Sequence, residues 1–269
     1  ISRLNRHLRL LKEAPFPFLK IDGLKLPTKK AERNLRWMLD RVREKTGDEV
    51  IINMDVTNGR RVGYHWFTEY GNIFLENRYT DWGNYYPYKT LRNIWQLSRY
   101  TAPERFQVEF LNPWRNQDKY DEGDIFTPSS YSFDYVAATS FAAQPLAWME
   151  ASNLPEDAYY VGDLLKEWMK LAPKIHKGTI LPIGEEPSGR SWTGFQSITD
   201  SEHGYIILYR ELTQDASSLV KTWLPAGAKV KCKELMGNGI DFTTKVDPDG
   251  RIKVNLTQPN SFAVYEYSL

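Results

Sequence analysis

Two aspartates stand where short strand-like runs give out. In residues 17–27, PFLKIDGLKLP, the run Phe18 to Ile21 ends on Asp22 and Gly23. Lys20, two residues earlier, shares a strand face with Asp22. Charges on one face of an otherwise apolar strand either pair with each other or hold a polar ligand, because buried charge is costly without a partner. Asp22 also has a plain use, as a turn or helix-capping residue ahead of Thr28. The second aspartate, Asp81, follows IFLENRYT and precedes Trp82-Gly83-Asn84, where it too can serve as a cap. Two carboxylates flanking a glycosidic bond cleave it with retention when they are ~5–5.5 Å apart, one attacking the anomeric carbon and the other protonating the leaving oxygen.

Between them lies NMDVTNGRRVGYHW, residues 53–66. Asn53 and Asp55 share a face at the end of a strand. Asn58, Arg60 and Arg61 follow in a loop. Arg60 or Arg61, and Arg78 ahead of Asp81, can hydrogen-bond sugar hydroxyls or simply neutralise carboxylates. Trp66 and Trp82 offer flat faces to a sugar or to loop packing. His65 and the carboxylates Glu69, Glu76 and Glu109 compete for an acid/base role. Aromatics make up 14% of the chain, with 9 Trp and 16 Tyr; a large core uses most of them, and sugar contact is the functional alternative.

Other chemistries have less support. The single cysteine, Cys232, excludes an internal disulfide and has no CxxC or clustered histidine partner for zinc. No P-loop and no GxSxG occurs. The formal charge of +1 gives no reason to expect nucleic acid or an anionic surface, and no apolar run approaches the ~20 residues of a membrane span. No cofactor or metal is called for.

The elements that must position these residues alternate in type. Helical periodicity marks 1–14 and 28–46, the latter with Thr28 as N-cap, Gly47 as stop and Ala31, Leu35, Met38, Leu39 and Val42 inward. Strands are expected at 17–22, 49–55, 72–77 and 105–112, with a further one inside 131–141. Helices are expected at 87–101 and 155–173. Strand ends near 22, 55, 81, 109 and 138 recur at roughly the length of one βα unit of an eight-fold barrel. A doubly wound sheet gives similar steps, but no Gly-rich phosphate loop follows any strand, and polar residues gather at successive strand ends. Two strands apart in an eight-strand barrel, Asp22 and Asp81 would face each other across its mouth.

From about 176 the helical period stops. Seven short segments separated by turn signals, GNG and PDG among them, predict an antiparallel β-sandwich of seven or eight strands, with DPDGR as a hairpin turn. The expected organisation is α/β followed by all-β: 1–175 as part of a (β/α)8 TIM barrel, from about strand 4 to helix 8, and 176–269 as a C-terminal β-sandwich. The first residues, ISRLNRHLRLLKEA, read as the inside of a helix with no N-cap, which suggests the C-terminal portion of a longer polypeptide.

FLKIDG resembles the nucleophile strand of the α-galactosidase clan of glycoside hydrolases, families 27 and 36, in which a lysine stands two residues before the nucleophilic aspartate. RYTDW resembles the acid/base segment of the clan. VIINMDVTNGRR sits where family 36 carries a strand ending in a polar, Arg-containing loop, although a cysteine and a run of glycines usual there are missing. YVAATSFAAQPLAWMEASNLPED resembles the last barrel strand and helix. The resemblance implies a retaining α-glycosidase, with Asp22 as nucleophile and Asp81 as acid/base. Lys20 and Arg78 would contact hydroxyls, with Asn53, Asp55, Asn58, Arg60 and Trp82 as further substrate-binding candidates. It implies an oligosaccharide or glycoconjugate substrate, a missing N-terminal part of the same polypeptide that completes the pocket, and a periplasmic or secreted setting if the source is a glycan-degrading bacterium. A transglycosidase of the same clan, and a non-catalytic carbohydrate-binding or structural fragment, are the alternatives.

Overall fold

The computed structural model describes residues 2–13, 18–47, 49–56, 63, 66–74, 84–149 and 154–269. By its contacts the chain divides into two compact units, 1–77 with 105–107, and 78–104 with 108–269.

The first unit runs α1 (Ser2–Glu13), β1 (Phe18–Ile21), α2 (Lys29–Thr46), β2 (Ile51–Asp55), α3 (Trp66–Tyr70) and β3 (Gly71–Phe74). α2 begins as its sequence dictates: the Thr28 hydroxyl accepts the Ala31 amide at 3.2 Å. It ends at Gly47, whose φ of 59° suits the residue without a Cβ. Leu35, Leu39 and Val42 are buried, while Ala31 and Met38 are half-buried. α2 is tied to α3 by the Arg36–Glu69 ion pair and by Tyr70, whose hydroxyl donates to Asp40 at 2.8 Å. β1, β2, β3 and the opening residues of β4 (Phe106–Phe110) pair in chain order, all parallel. At the start of β3, Gly71 lies so close to β2 that a Cβ would sit 2.9 Å from the Ile52 carbonyl oxygen.

The second unit holds α4 (Pro87–Leu97), the rest of β4, α5 (Phe133–Ala138), β5 (Gln144–Ala147), α6 (Val161–Ile175) and eight further strands. These are β6 (Thr179–Gly184), β7 (Trp192–Ile198), β8 (His203–Arg210), β9 (Ser217–Lys221), β10 (Lys229–Gly237), β11 (Phe242–Lys245), β12 (Arg251–Asn255) and β13 (Ser261–Ser268). Six of them form an antiparallel sheet in the order β11-β10-β13-β8-β7-β6, and β12 pairs with β9. Both sheets feed one buried apolar cluster, with Val220, Ile252 and Val254 from the pair and Ile206, Val230, Cys232 and Tyr265 from the six. α4 and α5 are tied to this region: Trp95 Nε1 donates to the Ile183 carbonyl at 3.0 Å, and the Tyr209 hydroxyl to the Ala138 carbonyl at 2.6 Å. No helix among the described residues is long and apolar enough to cross a membrane.

Three local expectations need correcting. Residues 131–141 hold a helix, α5, and the strand comes later, at 144–147. Every residue from Phe133 to Ala143 except the partly buried Asp134 is fully buried or nearly so, and a short apolar run buried all round looks the same as helix or strand. The Ser132 hydroxyl decides it by capping the Tyr135 amide at 3.2 Å. α6 does not stop at Pro173 but runs on to Ile175; so near the C-terminus a proline removes only one helical hydrogen bond. Finally, 247–250 is a tight turn closed by the Gly250 amide on the Asp247 carbonyl at 3.0 Å. The strands it joins lie in different sheets, so it is a crossover and not a hairpin.

Candidate active site

The register of the parallel strands places the polar residues in rows. Lys20 is level with Asn53, and Asn53 with Asn72. One step on, Ile21, Met54, Ile73 and Phe106 form the next row. The row after that brings Asp55 level with Gln107 through Phe74. Asp22 follows Ile21 directly and so falls level with Asp55. Alternation puts Lys20, Asp22, Asn53, Asp55, Asn72 and Gln107 on one face of the sheet. The opposite face carries Met54, Ile73 and Phe106, each completely buried. Along β1 and β2 the polar face starts apolar, at Phe18 and Ile51, and becomes polar towards the C-terminal ends. This is the end of a parallel sheet at which ligands are bound.

Asn53 and Asp55 are both 0% exposed, although one is an amide and the other a carboxylic acid. Asn53 Nδ2 donates to Gln107 Oε1 at 3.1 Å, and Asn53 Oδ1 accepts no hydrogen bond among the described residues. Lys20 is half-buried and Asp22 exposed. The cap of α2 is supplied by Thr28, so the helix-capping use of Asp22 is not realised. Instead Asp22 Oδ1 accepts from the amide of Gly23, whose φ of 65° turns the chain sharply off the strand end.

Among the remaining candidates, Glu69 is committed to Arg36, an ion pair that raises the guanidinium pKa further. Trp66 is buried against Tyr70, ring centroids 5.5 Å apart, with the Arg36 guanidinium 5.5 Å from its ring; it serves packing. Glu109 is fully buried in β4. Asn58, Arg60, Arg61, His65, Glu76, Arg78, Asp81 and Trp82 lie outside the described residues. Asn72 and Gln107 share this face and are not among the candidates that the sequence offers. The signal for Gln107 was present in RFQVEF, where Gln107 and Glu109 alternate with Phe106, Val108 and Phe110. Cys232 is buried in the second unit, where desolvation pushes its thiol up to about 12.

No protein-family model matches this chain, and no curated protein does. Solved structures do. The galactosidase domain of the α-galactosidase–sucrose kinase AgaSK aligns with 98% of this chain and 36% of its own, at 10% identity and a TM-score of 0.69. The family 36 α-galactosidase AgaA from Geobacillus stearothermophilus aligns with 99% of this chain and 37% of its own, at 11% identity and a TM-score of 0.66. AgaB from the same organism aligns with 98% and 37%, at 11% and 0.65. This chain thus spans little more than a third of the length of these three proteins. It shares its fold, along nearly its whole length, with part of the α-galactosidases of glycoside hydrolase family 36.

Proposed function

We propose that the chain is the C-terminal portion of a retaining α-glycosidase, α-galactosidase-like in its chemistry. In this reading residues 1–175 belong to a (β/α)8 barrel, residues 176–269 form a β-sandwich, and the rest of the polypeptide completes the barrel and the pocket. Asp22 attacks the anomeric carbon as the glycosidic C–O bond breaks, and Asp81 gives its proton to the leaving oxygen. Asp81, now a carboxylate, takes a proton from water. That water displaces Asp22 from the glycosyl-enzyme and restores both groups. Lys20 and Arg78 hold hydroxyls; Asn53, Asp55, Asn58, Arg60 and Trp82 line the sugar. No cofactor or metal takes part.

The observation that carries this reading is the polar face at the C-terminal ends of β1 and β2, where Lys20 and Asp22 stand level with the buried Asn53 and Asp55. The fold shared with family 36 α-galactosidases supports it. The test is hydrolysis of aryl α-glycosides by the full-length protein, α-galactoside first, with Asp22→Asn and Asp81→Asn beside it. Loss of ~10²-fold or more in both folded variants is expected. Full activity in either would sink the assignment of that residue, and a folded parent silent on the panel would favour a binding role.

A further inference from the structure

The second unit carries a groove between residues of α4 and of β6 and β9. Its cavity is about 420 Å³ and is lined by Trp95, Arg99, Pro182, Lys221, Thr222 and Trp223, with neighbouring residues of β6. That volume is in the range of ligand clefts, ~300–1,000 Å³. Trp223 is 58% exposed, unusual for the largest aromatic, and yet it is firmly held. Its backbone amide donates to the buried side chain of Gln196 at 2.9 Å. Its indole Nε1 donates to the Pro182 carbonyl at 2.9 Å. Just before it, Thr222 is fixed to the Gly250 carbonyl through both its amide and its hydroxyl, each at 2.9 Å. Trp95 likewise donates its indole N–H to the next carbonyl of β6, that of Ile183, at 3.0 Å.

Both indole N–H groups are therefore used internally, and what the two rings offer a ligand is their faces. The face of Trp95 is taken by Arg99, whose guanidinium lies 4.2 Å from the ring centroid. The face of Trp223 remains. The charged groups beside it are Arg99 and Lys221, both cationic, and no carboxylate is among the described lining residues. The Lys221 ammonium meets the Asp249 carbonyl, which orients it and leaves two of its three donors for other partners. A rigid exposed ring in a groove that also holds two cations suits a flat, partly apolar ring that bears an anionic group.

We infer that this groove binds an acidic saccharide, one pyranose ring stacked on Trp223 and its carboxylate or sulfate held by Arg99 and Lys221. The choice of a sugar among ring-bearing anions rests on the glycosidase reading; the stacking face and the charge do not.

The test is calorimetric titration of the full-length protein with trigalacturonate, a sulfated galactotriose and neutral galactotriose. At least one acidic ligand should bind several-fold more tightly than the neutral one, with affinity falling as salt rises. Trp223→Ala should weaken it roughly tenfold and Trp223→Phe less. Should Trp223→Ala fold poorly, the exposed-residue variants Arg99→Gln and Lys221→Gln carry the test, each weakening acidic ligands alone. Equal affinity for all three ligands, no binding, or variants that bind like the parent would overturn the inference. Tighter binding of a nucleoside monophosphate would overturn the sugar assignment. Hydrolysis is measured separately: acidic-sugar binding without hydrolysis removes the catalytic reading alone, and hydrolysis without such binding removes this one alone.

Discussion

Asn53 on β2 donates its side-chain amide to the side-chain carbonyl of Gln107 on β4, 3.1 Å away, passing over β3, which lies between them. Neighbouring strands are ~4.8 Å apart, so the two amides must lean towards each other above the middle strand. The bond fixes the polar face where Asp55 and Asp22 stand. Asn53 is fully buried, so removing Gln107 strands its amide away from water. Gln107→Leu is expected to cost ~1–3 kcal/mol. In a double-mutant cycle with Asn53→Leu, chemical denaturation should give a coupling of ~0.5–3 kcal/mol. Simple additivity would show that the bond does nothing for the fold.

Much of this site was legible in the sequence. The pattern FLKID, with charges spaced by two, put Lys20 and Asp22 on one face, and INMD did the same for Asn53 and Asp55. Thr28 and Gly47 bounded α2 because their chemistry acts over one turn. What was not legible depends on partners distant in sequence. Nothing local tells that Asn53 meets Gln107, since register between parallel strands is set by packing and not by a turn. Burial on all sides likewise erases the period of 133–138, so that the run suits a strand as well as the helix it forms. Asp81 and the loop after Asp55 were singled out by sequence and lie outside the described residues.

Rescue by azide would separate the two proposed roles in the full-length protein. In Asp22→Gly, azide occupies the nucleophile's place, attacks the anomeric carbon as aryloxide leaves, and should give the β-glycosyl azide. In Asp81→Gly, Asp22 can still displace a good aryloxide leaving group without its proton; azide then displaces Asp22 and should give the α-glycosyl azide. Product stereochemistry read by proton couplings decides it. The reverse pairing would exchange the two assignments.

Gly23 turns the chain immediately after Asp22 with φ of 65°, and an added Cβ there would meet nothing within 4 Å. Any effect of Gly23→Ala is therefore conformational, ~1 kcal/mol against the left-handed backbone. A loss of kcat/KM much larger than the loss of stability is expected, because the strained turn would re-aim Asp22. Proportionate losses would mean the turn serves the fold only.

Cys232 is fully buried, and burial pushes its thiol up to about 12, so almost no thiolate exists near neutrality. A disulfide reagent such as DTNB at pH 8 should leave Cys232 unmodified in the folded protein and label it in denaturant. Rapid modification without denaturant would contradict the packing of β10.

Glu211 follows β8 and is only 1% exposed. Burial raises its pKa from 4.5 to about 6, against the lowering effect of hydrogen bonds from the loop before β7, in which the amides of Ser188 and Ser191 donate to Oε2 at 2.9 and 2.7 Å. Because the folded pKa is the higher one, the folded chain binds this proton more tightly than the unfolded chain. The contribution to stability is thus fully present below about pH 4.5 and is lost as pH rises through 6. A shift of this size corresponds to about 2 kcal/mol. Glu211→Gln keeps an acceptor for the two serine amides and removes the titration. The stability of the parent relative to this variant should fall by about 2 kcal/mol between pH 4 and pH 8, measured by urea unfolding at each pH. A difference independent of pH would mean that Glu211 titrates alike in the folded and unfolded chain, its hydrogen bonds offsetting the desolvation.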